Sequence, residues 1–385
     1  MNEITITIVT PFYYPQINGV SHVVQKNVEV LLDLGYKVIV LTNKDGKAKS
    51  NEEVFNFDIN GNGTIFNPIR GNKKKFIKDA IFHTKDSRLI IVHCWHIWST
   101  NLILDNFNKF KSKIVVYSHG TSTRSRKFNL YYVLRYINYF FESFKLNKYL
   151  NLIDGLISIT NKKEHFRCLD INKIGDNKNN LLYNPIIERD FNLQASIDAS
   201  TRYEDLFKSD LKIAFCLSNY EEIKNQKYLI DLVDKHSFKL ICVGSKITPY
   251  YHKLKKYIKL KNLEDKVILD YAIDDSTVEW LFENCDFFLF SSRNDFSPLV
   301  LIESSKYSLP FISFNTADTN RMGGYFCSDE KEYEFYLKKI ILNENNLLKQ
   351  VGKEGLLYYE KNNSLETYQS NFKKIISNIL INNSK

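Results

Sequence analysis

The chain has 385 residues, with 53 Lys and Arg against 44 Asp and Glu (net charge +9), 44% hydrophobic and 25% charged residues. At roughly 100–200 residues per domain this length predicts two domains, and the ordinary apolar and charged content excludes disorder as the main theme. The positive balance fits an anionic substrate, an anionic membrane surface or plain lysine-rich composition; no RNA-recognition aromatic motif, zinc finger or basic-region helix accompanies it, so no nucleic-acid partner is expected.

In chain order, the N-terminal segment MNEITITIVTPFYYP lacks a basic start followed by an apolar stretch, so no signal peptide is expected. Residues 4–10 read as a buried strand. After a Pro/Tyr/Asn/Gly loop, a helix is predicted from Val20 to Leu34, with Gly35 beyond its end, and Lys37–Thr42 as the next strand. Strand, helix and strand at this spacing form a βαβ unit, hence a parallel sheet. Arg88–His93, Lys113–Ser118 and Gly155–Ile159 add strands. Leu181–Asn192 carries a proline and no helical period and reads as a linker.

The pattern then restarts: strand Lys212–Leu217, helix Asn225–Lys235, strand Lys239–Val243, then strands Val267–Asp270, Phe287–Phe290 and Phe311–Ser313. The expected organisation is a domain over 1–185, a second over 186–360, and a helical tail, 361–385, returning toward the first. Six isolated cysteines sit mostly in apolar runs and read as buried free thiols, which points to a reduced, cytoplasmic compartment. No apolar run approaches the roughly 18 residues of a membrane span. The stretch 124–150 interleaves aromatics with cations; its stripe from Leu130 to Phe144 suits either packing on the core or an interfacial helix on an anionic membrane. Arg124, Arg126 and Lys127 are alternatively available to an anionic acceptor.

GxGxxG, GxxxxGK[ST], HExxH, GxSxG and D-x-D are all absent, which argues against a dinucleotide dehydrogenase, a P-loop enzyme and a metal-dependent transferase. Four features remain. Asn18 and Gly19 open the first helix, where backbone N–H groups can meet an anion, or they form a simple tight turn. His119 with Gly120 follows a strand, at the end of a parallel sheet that faces ligands, though a lone histidine is often structural. Lys224 precedes a helix and can set a point charge against a phosphate, or stay solvated. Residues 291–313 carry the strongest signal. Asp295 lies on a loop, Ser297 and Pro298 lead into a helix, the amides of Leu299 and Val300 are free for a phosphate, and Glu303 follows eight residues after Asp295. Carboxylates pair well with vicinal hydroxyls; the alternative is that Asp295 merely caps the helix.

At these residues the chain resembles glycosyltransferase family 4, retaining enzymes of the GT-B fold. Asp295-x7-Glu303 followed by Ser308-Leu309-Pro310 looks like the family's E-x7-E and G-x-P. Pro15–Gly19 looks like its glycine loop, Tyr183-Asn184-Pro185 like its end-of-domain turn, and His119 and Lys224 match its sugar-contacting histidine and phosphate-binding lysine. The resemblance implies an α/β chain of two Rossmann-like domains facing a cleft, the first on the acceptor side and the second holding a nucleotide-sugar donor, UDP- or GDP-linked. No cofactor or metal is implied. Asp295, His119 and Lys224 would carry catalysis; Asn18, Gly19, Asn219, Ser297, Pro298, Leu299, Val300 and Glu303 would bind the donor. The acceptor would be a glycan, a lipid-linked molecule or a protein, and the location cytoplasmic or peripheral at the inner face of a membrane. Asp295 stands for a glutamate, Asn219 for an arginine and Ser308 for a glycine, with Arg293 or Lys227 as candidates for the missing charge. An epimerase of similar fold and a non-catalytic nucleotide-sugar binder are the rival readings.

Overall fold

The computed structural model describes residues 3–16, 18–60, 70–121, 144–163, 167–186, 188–189, 192–293, 295–316, 323–342 and 346–381. The chain divides into two units, one formed by Met1–Pro185 with Leu365–Lys385, the other by Ile186–Ser364.

In the first unit, β1 (Thr5–Val9) and β2 (Lys37–Asn43) are joined by the helix Gly19–Asp33. Every residue of β1 is buried, as a run of Ile, Val and Thr requires in a strand covered on both faces. The helix begins with a reciprocal cap. Asn18 Oδ1 accepts from the Ser21 amide and Ser21 Oγ accepts from the Asn18 amide, each at 3.0 Å. Just past its end, Gly35 adopts φ +79°, open to glycine without steric cost. Then come β3 (Glu53–Phe57), the short pair β4 (Ile59–Asn60) and β5 (Arg70–Gly71), β6 (Ser87–His93), β7 (Lys113–Ser118), β8 (Gly155–Ser158) and β9 (Asn179–Leu181). Seven of these form a sheet ordered β3-β2-β1-β6-β7-β8-β9, parallel throughout. The helix Leu365–Ile381 belongs to this unit. Its Tyr368, Phe372 and Ile376 are buried, and the Ile379 carbonyl accepts from Lys113 Nζ at 2.6 Å.

The second unit contains β10 (Ile213–Leu217), β11 (Lys239–Gly244), β12 (Val267–Tyr271), β13 (Phe287–Phe290), β14 (Phe311–Phe314) and β15 (Gly324–Cys327). They pair in parallel in the order β12-β11-β10-β13-β14-β15. Alternation along the strands divides the core in two. Ala214 and Cys216 join Leu229, Phe238 and Tyr333 on one face. Ile213 and Phe215 join Tyr203, Leu281 and Phe282 on the other. Both units are thus Rossmann-like α/β layers.

Some elements were not anticipated. The edge strands β3, β9 and β15 keep several side chains partly exposed, so they show no continuous apolar run. The helix Leu193–Phe207 buries only Ala199, Tyr203 and Leu206 along a polar sequence. Within the expected tail, 361–385, lies one helix, Leu365–Ile381, and an unanticipated helix, Leu347–Asn362, precedes it in the second unit. Of the stretch 124–150, residues 124–143 lie outside those described, Arg124, Arg126 and Lys127 among them. The helix at 144–152 buries Leu146, Tyr149 and Leu150 and exposes Phe144. Among the described residues no helix is long and apolar enough to cross a membrane.

Strand order reverses once in each sheet, between β1 and β6 and between β10 and β13. The connections leave those neighbours in opposite directions. Their carboxyl ends, and the loops after them, therefore flank the crevice where open α/β sheets take ligands.

Candidate donor site in the second unit and a histidine network in the first

The loops after β10 and β13 are stitched together. Gln226, buried at the start of its helix, donates Nε2 to Ser218 Oγ and to the Asn219 carbonyl, both at 2.8 Å. Asn225 takes φ +59°, a left-handed conformation asparagine tolerates, and so turns a short 3-10 segment, Glu222–Lys224, into the helix Gln226–Lys235. From β13's end, Ser291 Oγ donates to the Lys224 carbonyl at 2.7 Å. This frame brings Lys224 to Asp295: Nζ lies 2.8 Å from Oδ1 and 2.9 Å from Oδ2. Both side chains stay about a quarter exposed, at 22% and 24%, so the pair is reachable by a ligand. Asn219 Oδ1 accepts from Ser245 Oγ at 2.6 Å.

Ser297 and Pro298 are half-buried and lead into the helix Leu299–Lys306. Pro298 takes the N-cap place with ψ 123°, one residue before the helix rather than inside its first turn. The first-turn amides of a helix, here those of Leu299 and Val300, have no acceptor within it. Further along, Glu303 is 1% exposed. Arg189 Nε donates to its Oε1 at 2.8 Å, with Nη2 on the same oxygen, while Arg189 Nη1 lies 2.7 Å from Asp275 Oδ1. Among the described residues, Glu303 Oε2 is buried without a hydrogen-bond partner. Burial raises the Glu303 carboxyl above its usual range, against the lowering effect of Arg189. Neither candidate for the charge missing at Asn219 is idle: Arg293 pairs with Glu330 and lies over Phe314, and Lys227 pairs with Asp231 and lies over Tyr257.

In the first unit, Asn18 and Gly19 stand at the start of the first helix, but the reciprocal cap occupies the Asn18 and Ser21 amides. Of this turn, the Gly19 and Val20 amides are those the cap leaves for an anion. His119 is half-buried at the end of β7, and Gly120 beside it has φ +92°. His119 Nε2 meets His93 Nδ1 at 3.2 Å. His93 is buried at the end of β6, with Nε2 3.5 Å from Asn27 Nδ2. Asn27 Oδ1 accepts from the Tyr368 hydroxyl, which lies 3.4 Å from that of Tyr117. The rings of His93, Tyr117 and His119 stack. Burial drives His119 down to about 3 and His93 well below the usual histidine value, so both are neutral near pH 7.

Sequence reasoning missed Arg189, His93, Asn27 and Tyr368. His93 had a usable signal, being the last residue of a predicted strand. The others meet partners 66 or more positions away, which no local pattern records.

Residues 199–355 match the family described as glycosyl transferases group 1. No curated protein matches the chain. Among solved structures, a glycosyltransferase from Rickettsia africae shares 16% identity and a TM-score of 0.73, over 99% of this chain and 100% of that one. Sucrose-phosphate synthase from Thermosynechococcus elongatus shares 14% and 0.73, over 98% and 99%. HepE from Anabaena, solved with UDP and glucose, shares 13% and 0.68, over 98% and 100%. The fold is GT-B, as in these neighbours, and the family match lies within the second unit.

Proposed function

We propose that the protein is a retaining glycosyltransferase that moves a hexose from a nucleoside diphosphate sugar to a glycan, lipid-linked or protein acceptor without a metal ion. The observation that carries this is the Lys224–Asp295 pair at the carboxyl ends of β10 and β13, beside the amides that open the helix Leu299–Lys306. A cation and N–H groups without an acceptor in their own helix, next to an acid, suit a diphosphate with a sugar attached. HepE, with UDP and UDP-glucose, and the pneumococcal GtfA, with UDP and GlcNAc, favour a UDP-linked donor over a GDP-linked one.

In this reading Lys224 and the amides of Leu299 and Val300 stabilise the negative charge that grows on the leaving diphosphate, each preorganised group contributing a few kcal/mol. Asp295 accepts from hydroxyls of the sugar, Glu303 from the ribose, and the neutral His119 imidazole pairs with a further hydroxyl. Asn219, Ser297 and Pro298 shape the donor loop, and the Gly19 amide is available to an anion. The leaving phosphate takes the acceptor's proton, so no separate base is needed. A cytoplasmic enzyme at the inner face of a membrane, acting in polysaccharide or glycoconjugate synthesis, fits the net positive charge.

The test begins with thermal shift against UDP, GDP and their sugars, because a ligand that binds only the folded state raises its stability. Release of free UDP or GDP from the stabilising donor is then followed in wild type and Lys224→Ala. The substitution is expected to lower kcat by about 10²–10³-fold. Unchanged turnover in Lys224→Ala sinks the assignment.

A further inference from the structure

We propose that Arg189 is a positioning residue that fixes Glu303 as a one-sided acceptor, loading Oε1 and leaving Oε2 for a hydroxyl of the donor's ribose. The inference rests on the donor reading above. Its basis is geometric. An arginine facing a carboxylate usually spreads its fork over both oxygens. Here Nε and Nη2 both fall on Oε1, and Nη1 is drawn to Asp275 Oδ1 at 2.7 Å. Oε2 is left buried with no hydrogen-bond partner among the described residues. A buried acceptor left without a protein partner bears the desolvation cost of that group, and a hydroxyl donated from outside would offset it.

Three charged groups act on Glu303. Arg189 and Lys306 favour its ionised form, Asp275 opposes it, and burial opposes it most. Without Arg189 the balance shifts toward the protonated acid, which offers a ribose hydroxyl a weaker neutral bond. Arg189 therefore sets both the geometry and the charge of the acceptor. Asp275, by holding Nη1, keeps the fork turned so that only Oε1 is occupied.

The experiment compares binding of whichever of UDP and GDP the wild type takes with binding of its 2′,3′-dideoxy analogue, by calorimetry from pH 5.5 to 8.5. Hydrogen bonds to a charged acceptor predict a preference of about 10–100-fold for the intact ribose in wild type. In Arg189→Gln the preference shrinks to within about threefold at the acid end and recovers toward the alkaline end, as Glu303 ionises. Arg189→Lys restores most of it. A second measurement needs no ligand. Arg189→Gln should lose thermal stability as pH rises across this range more steeply than wild type, because its folded state holds a proton on Glu303 that the unfolded state releases.

Full preference in Arg189→Gln at every pH, with a melting profile parallel to wild type, overturns the proposal. A wild type that binds the diphosphate but does not distinguish the dideoxy analogue also overturns it, while leaving the donor reading intact. Failure to bind either diphosphate removes the donor reading and the ribose assignment together.

Discussion

Lys224 Nζ lies 2.8 and 2.9 Å from the two carboxylate oxygens of Asp295, so the cation assigned to the donor's phosphate is already held by the acid assigned to its sugar. The two side chains sit 71 positions apart in sequence and meet only because β10 and β13 are neighbours in the sheet. A diphosphate must share or displace that acid. Asp295→Asn removes the competing charge and keeps the shape. It is expected to tighten binding of the free nucleoside diphosphate by about 1.5–5-fold, the scale of a partly exposed ion pair. Sugar transfer should fall at the same time, because the carboxylate proposed to orient the sugar is gone. Calorimetry and product release read the two effects separately, and weaker diphosphate binding contradicts the arrangement.

Ser308 carries φ +54° at an exposed position just beyond the helix Leu299–Lys306. That conformation costs a side chain about 1 kcal/mol and costs glycine little. Ser308→Gly should therefore stabilise the second unit by about 0.5–1 kcal/mol, a rise of about 1–4 °C in Tm. A fall in Tm contradicts this.

Gly352 poses the opposite case. It lies inside the helix Leu347–Asn362, where alanine is favoured by about 1 kcal/mol. A Cβ there, however, would stand 2.1 Å from the Ser308 carbonyl oxygen. The contact is with backbone, which cannot swing aside, so the clash outweighs the propensity. Gly352→Ala is expected to destabilise by about 1–3 kcal/mol in urea titration. A neutral or stabilising result shows that the two segments can separate.

The His93–His119 pair makes the first unit sensitive to acid. Both imidazoles titrate lower in the folded chain than in the unfolded one, so the unfolded state binds more protons below pH 6.5. Stability contributed by their neutral forms is full above that pH and is lost as pH falls toward the folded value, about 3 for His119. Each neutral imidazole contributes a slope of about 1.4 kcal/mol per pH unit. Urea unfolding at pH 7 and pH 5 should show a smaller loss in His119→Gln than in wild type. Equal losses show that His119 is not held neutral.

The framework was largely open to reading from sequence, because βαβ spacing and buried apolar runs are local signals. The strands at 113–118 and 287–290 coincide with β7 and β13. The eight-residue spacing put Asp295 on a loop and Glu303 on the next helix, where they lie. What the sequence hid was the partner of each acid. Arg189 reaches Glu303 across 114 positions, and Tyr368 reaches Asn27 across 341. Such meetings follow from strand order and helix docking, to which a periodicity is blind. The edge strands escaped for another reason: a strand with one neighbour need not be apolar on both faces.

The helix Leu365–Ile381 has a consequence for the order in which the protein takes shape during synthesis. It completes the first unit, yet it leaves the ribosome after every residue of the second. The chain that starts folding first is thus finished last. Until Tyr368 emerges, Asn27 and Tyr117 lack the hydroxyl that joins them, and Lys113 lacks the Ile379 carbonyl. A nascent chain stalled before residue 365 would hold a completed second unit and an unfinished first one, the reverse of the usual N-terminal-first sequence.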